Sequence, residues 1–316
     1  MALRLFQKKD RTINFTITDE AIRFVELRQS DPIVIEKFGE RQLPEGLIVQ
    51  GDLVKIDELQ DILDNIVDEW KLKKRNIRFT IPDRFVAIKE EKVDRDLTLD
   101  EIKNFFFMQI GSTIHLPFDE PVFDVVVTGY EETKQTVLLV AAPEQVMEEY
   151  AGLFEHARLK PAAADIAPLA VYRLFHAGGQ TEEEAHELII HLKKNVMTLS
   201  IFHRHQLKFI KPVFIEKSED VLEIEETEES GGLADALSEI EKVINFYENS
   251  VHGGQVKIDR MLFTGYHSQR TFAEQFIRQS FDVPLRTDEA ISMDTKQNEE
   301  LPPAFYAAAG LALKDG

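Results

Sequence analysis

Thr12 to Leu27 reads TINFTITDEAIRFVEL and Glu187 to Ile201 reads ELIIHLKKNVMTLSI. Each is a short β-type run, a tight polar turn and a second alternating run, the pattern of a hairpin with a buried face. The two start 175 residues apart, at 12 and 187, so the chain reads as two halves with the same opening. The turn regions are Thr16-Ile17-Thr18-Asp19-Glu20 and His191-Leu192-Lys193-Lys194.

Beyond the first hairpin, a third β run (Ile33 to Phe38) precedes Leu43-Pro44-Glu45-Gly46 and Gly51-Asp52. A helix is predicted from about Asp57 to Trp70, because Leu59, Ile62, Leu63, Ile66, Val67 and Trp70 fall on one face. A strand, Asn76 to Ile81, then ends at Pro82. A meander, a covering helix and a further strand make the opening of a ribonuclease-H-like half. Residues 85–165 read as a small α+β unit inserted into it: a strand (Phe85 to Val93), a helix capped by Thr98 with Glu101 as capping-box partner, two strands (Val122 to Tyr130, Thr136 to Ala141), a helix (Pro143 to Arg158) and a strand from Pro161.

Residues 166–186 are expected to be a connector helix and linker, and 187–316 the second lobe. That lobe carries a strand ending near Pro212, an acidic loop at 217–232, a periodic helix from Leu233 to Ser250, a strand (Arg260 to Thr264), a helix (Gln269 to Phe281), a short β run (Val283 to Leu285) and a terminal helix from Pro303 to Leu313. The run Glu219 to Glu229 holds seven carboxylates without calcium-loop spacing, so it reads as a solvated loop, with docking of a basic partner the minority option.

Composition removes several function classes. The 316 residues are 43% hydrophobic, enough for two ordinary cores. No run reaches the roughly 18 apolar residues of a membrane span, and no apolar signal core is present, so a cytoplasmic protein is expected. Zero cysteines rule out thiolate chemistry and Cys-based zinc sites. The net charge of −20 opposes binding to nucleic acid and anionic lipid. A local exception is the start, where Arg4, Lys8, Lys9 and Arg11 surround Leu3, Leu5 and Phe6; it is read as a soluble lead-in to the first strand in preference to a weak membrane contact.

Taken in order, these segments resemble the actin-like PilM proteins of type IV pilus assembly, which are similar to the cell-division protein FtsA. The resemblance runs through Arg23-Phe24-Val25-Glu26-Leu27, Leu43 to Asp52, Ile77 to Pro82, Leu97 to Ile102 and His115-Leu116-Pro117-Phe118. It continues through Val137 to Pro143, Leu159-Lys160-Pro161 to Asp165, Ile244-Asn245-Phe246-Tyr247, Ile258 to Gly265 and Ala307 to Leu313. It implies an α/β, two-lobed actin-like fold with an inserted subdomain and a reduced second lobe. It also implies a cytoplasmic scaffold, peripheral at the inner face of the membrane, that works with other pilus assembly components. The partner implied is the N-terminal tail of a bitopic PilN-like protein, lying in a groove between the first lobe and the inserted subdomain. Phe105, Phe106 and Phe107 are the surface candidates for that contact, with at least one of the three expected in a core. Homo-oligomerisation is left open.

In that superfamily both turns grip the phosphates of ATP and read Asp-x-Gly followed by small hydroxyl residues. Here Thr16, Thr18, Asp19 and Glu20 stand at the first turn, and His191 and Lys193 replace Asp and Gly at the second. The adenosine turn is Gly265-Tyr266, where Tyr266 is expected to crowd the nucleotide path. An uncompensated carboxylate about 4 Å from a phosphate costs on the order of 4 kcal/mol at an effective dielectric near 20, roughly a thousandfold in affinity. With the second-lobe subdomain reduced to the acidic loop, the expectation is a pseudo-ATPase with no cofactor and no catalytic residue. The alternatives are a nucleotide-switched ATPase using Mg2+ and ATP, or a sugar-kinase-like enzyme with Asp165 as base. A metal site at His191 and His203-Arg204-His205 is the weaker reading against solvated turn histidines.

Overall fold

β1 (Ile13–Ile17) and β2 (Ala21–Ser30) form the first hairpin, with Phe15 opposite Phe24, and β3 (Ile33–Gln42) continues the meander. The computed structural model describes residues 12–216, 230–296 and 299–314. The basic start and the acidic run 219–229 lie outside these described residues.

A small hairpin, β4 (Ile48–Val49) and β5 (Asp52–Leu53), leads to α1 (Ile56–Glu69) and β6 (Asn76–Ile81). The α1 stripe Leu59, Leu63, Ile66 and Val67 is fully buried. β7 (Ala87–Asp94), α2 (Leu99–Gln109), β8 (Pro121–Tyr130) and β9 (Lys134–Pro143) follow, with the Thr98–Glu101 capping box formed. α3 (Glu144–His156), β10 (Lys160–Ile166) and α4 (Ala167–Ala177) lead out of this part of the chain.

The second half contains β11 (Glu187–Leu192), β12 (Val196–His203), β13 (Gln206–Phe214) and α5 (Ser230–Asn245), the last extended by a π-helical turn to Val251. β14 (Arg260–Gly265), α6 (Arg270–Ser280), β15 (Leu285–Thr287), β16 (Asp294–Thr295) and α7 (Tyr306–Ala312) complete it.

The strand orders show the duplication. The first sheet runs β10-β6-β1-β2-β3-β16 and the second β13-β12-β11-β14-β15. In each, the first strand of the half is central, antiparallel to its hairpin partner and parallel to the strand after the helix. Every residue of β1 and of β11 is buried, as a strand covered on both faces requires.

Three boundaries differ from the sequence expectation. The unit expected over 85–165 shrinks to the three-stranded sheet β7-β9-β8 with α2, because β10 pairs in parallel with β6 and α3 buries Tyr150, Leu153 and Phe154 in the first core. The Phe154 ring packs in tilted contact 5.2 Å from both Phe15 and Phe79. The terminal helix expected in the second lobe belongs to the first: the Cβ of an alanine at Gly310 would lie 1.9 Å from the Ala170 carbonyl oxygen, so α7 rests directly on α4. β16, too short to show a pattern, also returns to the first sheet beside Val34 and Ile35.

Candidate functional site: the interlobe cleft

The turns after β1, β6, β11 and β14 come together at the carboxyl ends of parallel strands, where open α/β sheets place ligands. They border a cavity of about 1070 Å3, which Thr16, Thr18, Asp19, Glu20, His191, Lys193 and Tyr266 all line. All seven residues singled out at the two phosphate turns and at Tyr266 thus converge on one cleft.

Asp19 is not uncompensated. Its carboxylate accepts hydrogen bonds from the backbone N–H groups of Gln50 (2.6 Å) and Gly51 (2.9 Å). Gln50 and Gly51 have positive φ (50° and 86°), which turns successive N–H groups the same way and makes an anion-binding nest. Burial still raises the Asp19 pKa against these bonds. The repulsion expected from Asp19 therefore does not arise as a bare charge.

Glu20 is engaged by the other lobe. The Tyr266 hydroxyl donates to Glu20 Oε1 at 2.6 Å, and Arg23 lies 4.7 Å from the Tyr266 ring centre. Arg23 Nη1 is 3.5 Å from Glu20 Oε1, and its Nε donates to Glu40. Burial, followed by the charge of Glu20, pushes the Tyr266 phenol far above its ordinary range, so it remains a donor. Tyr266 thus lines the cleft as a bridge to Glu20 and Arg23.

Lys193 reaches across in the other direction. Its Nζ is 3.2 Å from Asp83 Oδ2, to which Thr198 Oγ1 also donates at 2.7 Å. Among the described residues, Asp83 Oδ1 and His191 Nδ1 are buried without a hydrogen-bond partner. Burial and then the neighbouring Lys193 push the His191 pKa down to about 3, so the ring is neutral. A neutral folded imidazole with an ordinary unfolded pKa binds fewer protons than the unfolded chain below about pH 6.5. Its stabilising contribution is present above that pH and is lost as pH falls toward 3. Glu187, pushed up to about 7 by burial, has the opposite sign between its ordinary carboxylate range and 7. The difference between wild type and His191→Gln is therefore the informative quantity. We expect the wild type to lose about 1.4 kcal/mol per pH unit relative to the variant between pH 6 and 4, measured by urea unfolding; parallel profiles would refute a buried neutral His191.

The remaining candidates separate. Asp165 accepts from its own neighbour's N–H (Ile166, 2.8 Å) and lies 2.8 Å from Arg173 and 3.2 Å from Lys314, which ties α4 to the C-terminus; it does not line the cavity. His203 stacks on His186 at 3.9 Å, while His205 Nδ1 is 2.6 Å from the Tyr172 hydroxyl, so the two rings serve different contacts. Among the described residues no group of three or more His, Cys, Asp or Glu side chains is arranged to hold a metal. Phe106 is fully buried, while Phe105 is 38% and Phe107 76% exposed, as is Met108 at 76%. The α2 core and the first core lie on opposite faces of the three-stranded sheet. Val137 and Leu139 of β9 face the α2 core, whereas Leu138 and Ala142, on the opposite face, join the first core.

Sequence reading missed Asp83, Arg23 and Thr198. Asp83 had a usable signal, since it follows Pro82 at the carboxyl end of a strand adjoining β1. Arg23 and Thr198 look like ordinary hairpin positions until the lobes meet.

Two duplicated sheets facing a cleft, with turn residues at their carboxyl ends, define an actin-like protein. The chain belongs to the family described as type IV pilus assembly protein PilM, whose model matches residues 15–213. Among solved structures it is similar to a PilM–PilN type IV pilus biogenesis complex, at 18% identity, covering 96% of this chain and 98% of that one with a TM-score of 0.77. It is also similar to the cytoplasmic domain of EpsL, an inner-membrane component of the type II secretion system of Vibrio cholerae (9% identity, 96% and 94% covered, TM-score 0.51). The ethanolamine utilization protein EutJ of Carboxydothermus hydrogenoformans matches at 8% identity, with 96% and 89% covered and a TM-score of 0.51. Among the described residues no helix is long and apolar enough to cross a membrane.

Proposed function

We propose that this chain is a non-catalytic scaffold of type IV pilus assembly, which holds the N-terminal cytoplasmic tail of a PilN-like inner-membrane protein and is peripheral to the membrane through that partner. The observation carrying the non-catalytic part is the self-pairing of the cleft. Asp83 is shared by Lys193 and Thr198, and Glu20 by Tyr266 and Arg23. A Mg2+–nucleotide needs carboxylates free to order the metal's water shell, and an ammonium already stands beside Asp83. The residues therefore do not fit that cofactor. The ion-paired Asp165 gives a sugar-kinase reading no base.

The partner is carried over from the PilM–PilN complex, whose fold this chain shares over 96% of its length. For the contact we assign the exposed apolar side chains of α2, with Phe107 and Met108 as anchors.

The nucleotide-switched reading is favoured by one observation, the size of the cavity, which is ample for a nucleotide. Thermal unfolding with and without millimolar Mg-ATP, backed by calorimetric titration, separates the two. A ligand at about 100 times its dissociation constant adds about 2.7 kcal/mol. We expect no shift and no heat; a clear shift would replace the scaffold reading with nucleotide-gated assembly.

A further inference from the structure

We infer that the two lobes are latched closed by the chain's own side chains, with the Lys193 ammonium and the Tyr266 hydroxyl doing what a bridging ligand would otherwise do. This rests on the non-nucleotide reading of the same cleft. Two bridges carry it. In one, Lys193 and Thr198 of the second lobe meet Asp83 of the first, over sequence separations of 110 and 115 residues. In the other, Tyr266 meets Glu20 and Arg23 across 246 and 243 residues. Asp83 is 5% exposed and Arg23 3%, so both bridges lie inside the closed cleft.

The sign of the effect follows from desolvation. A buried ion pair is often no better than an apolar pair, but removing one partner strands the other charge away from water. Opening the lobes rehydrates that charge. Loss of the Lys193 ammonium therefore favours the open state, because Asp83 would be left beside a neutral His191. Loss of the Tyr266 hydroxyl has a smaller effect, since Glu20 keeps Arg23. A ligand shifts a two-state equilibrium only through differential contacts, and contacts built into the chain act the same way at all times. The consequence is a scaffold presented to its partner in one lobe arrangement.

Hydrogen exchange by mass spectrometry over residues 18–20 and 193–195, with small-angle scattering of the same samples, tests this. Lys193→Met should exchange on the order of tenfold faster than wild type with an increased radius of gyration, and Tyr266→Phe about threefold faster. Adding Asp83→Asn to Lys193→Met should restore slow exchange. Tyr266→Phe keeps the ring in place, so the test stands even where the Lys193 variant folds poorly. Folded variants that exchange like wild type would overturn the latch while leaving the scaffold reading intact. A wild type that exchanges fast and slows only with Mg-ATP would overturn both.

Discussion

Gly265→Ala lowers the free energy of unfolding by on the order of 3 kcal/mol or more. Gly265 has φ +146°, a region that residues with a Cβ rarely adopt. The added methyl would also stand 1.9 Å from the Leu192 carbonyl oxygen, which is backbone and cannot turn aside. Leu192 is the register partner of Gly265 at the end of the β11–β14 pair, and the same carbonyl accepts the Tyr266 N–H at 3.0 Å. Separating these strands therefore damages the centre of the second sheet and withdraws Tyr266 from Glu20. Equilibrium urea unfolding measures the first effect and amide exchange at residues 18–20 the second. A loss below about 1 kcal/mol would mean that the two strands approach less closely than described.

Phe106→Ala and Phe107→Ala, adjacent on α2, should part company. Phe106 is fully buried among Val93, Ile102, Val125, Val137 and Leu139, so its truncation costs about 3–5 kcal/mol, concentrated in the inserted subdomain. Phe107→Ala leaves the melting temperature nearly unchanged. Combined with Met108→Ala, it should weaken binding of a PilN-like tail peptide by at least about tenfold, as loss of an aromatic anchor does. Calorimetric titration with the peptide reads this directly. Unchanged affinity would remove α2 from the contact and direct attention to Val49, Val54 and Ile56, the exposed apolar side chains around the β4–β5 hairpin.

Local patterns were legible because they are local. The first hairpin, the α1 stripe, the Thr98–Glu101 box and the strand Asn76–Ile81 follow from side-chain period and capping chemistry, and each stands where it was read. The repeated opening showed two halves, and the family resemblance supplied the actin-like fold. Domain boundaries were not legible in the same way. α3 looks like the close of the inserted unit, yet Phe154 finds its partners in Phe15 and Phe79, which only the sheet brings near. α7 reads YAAAGLA, mostly small side chains that name no neighbour; Gly310 permits contact with α4, and the fold brings α4 there.

The cleft divides along the same line. That the phosphate turns lack Asp-x-Gly and that a tyrosine follows Gly265 is written in the chain, because residue identity is the same wherever the chain goes. What those residues do instead emerges on folding: Asp19 turns into the Gln50–Gly51 nest, Lys193 is set against Asp83, and Tyr266 against Glu20. These pairings join positions up to 246 residues apart, and burial sets their strength. Both conditions exist only once the two sheets have closed on each other.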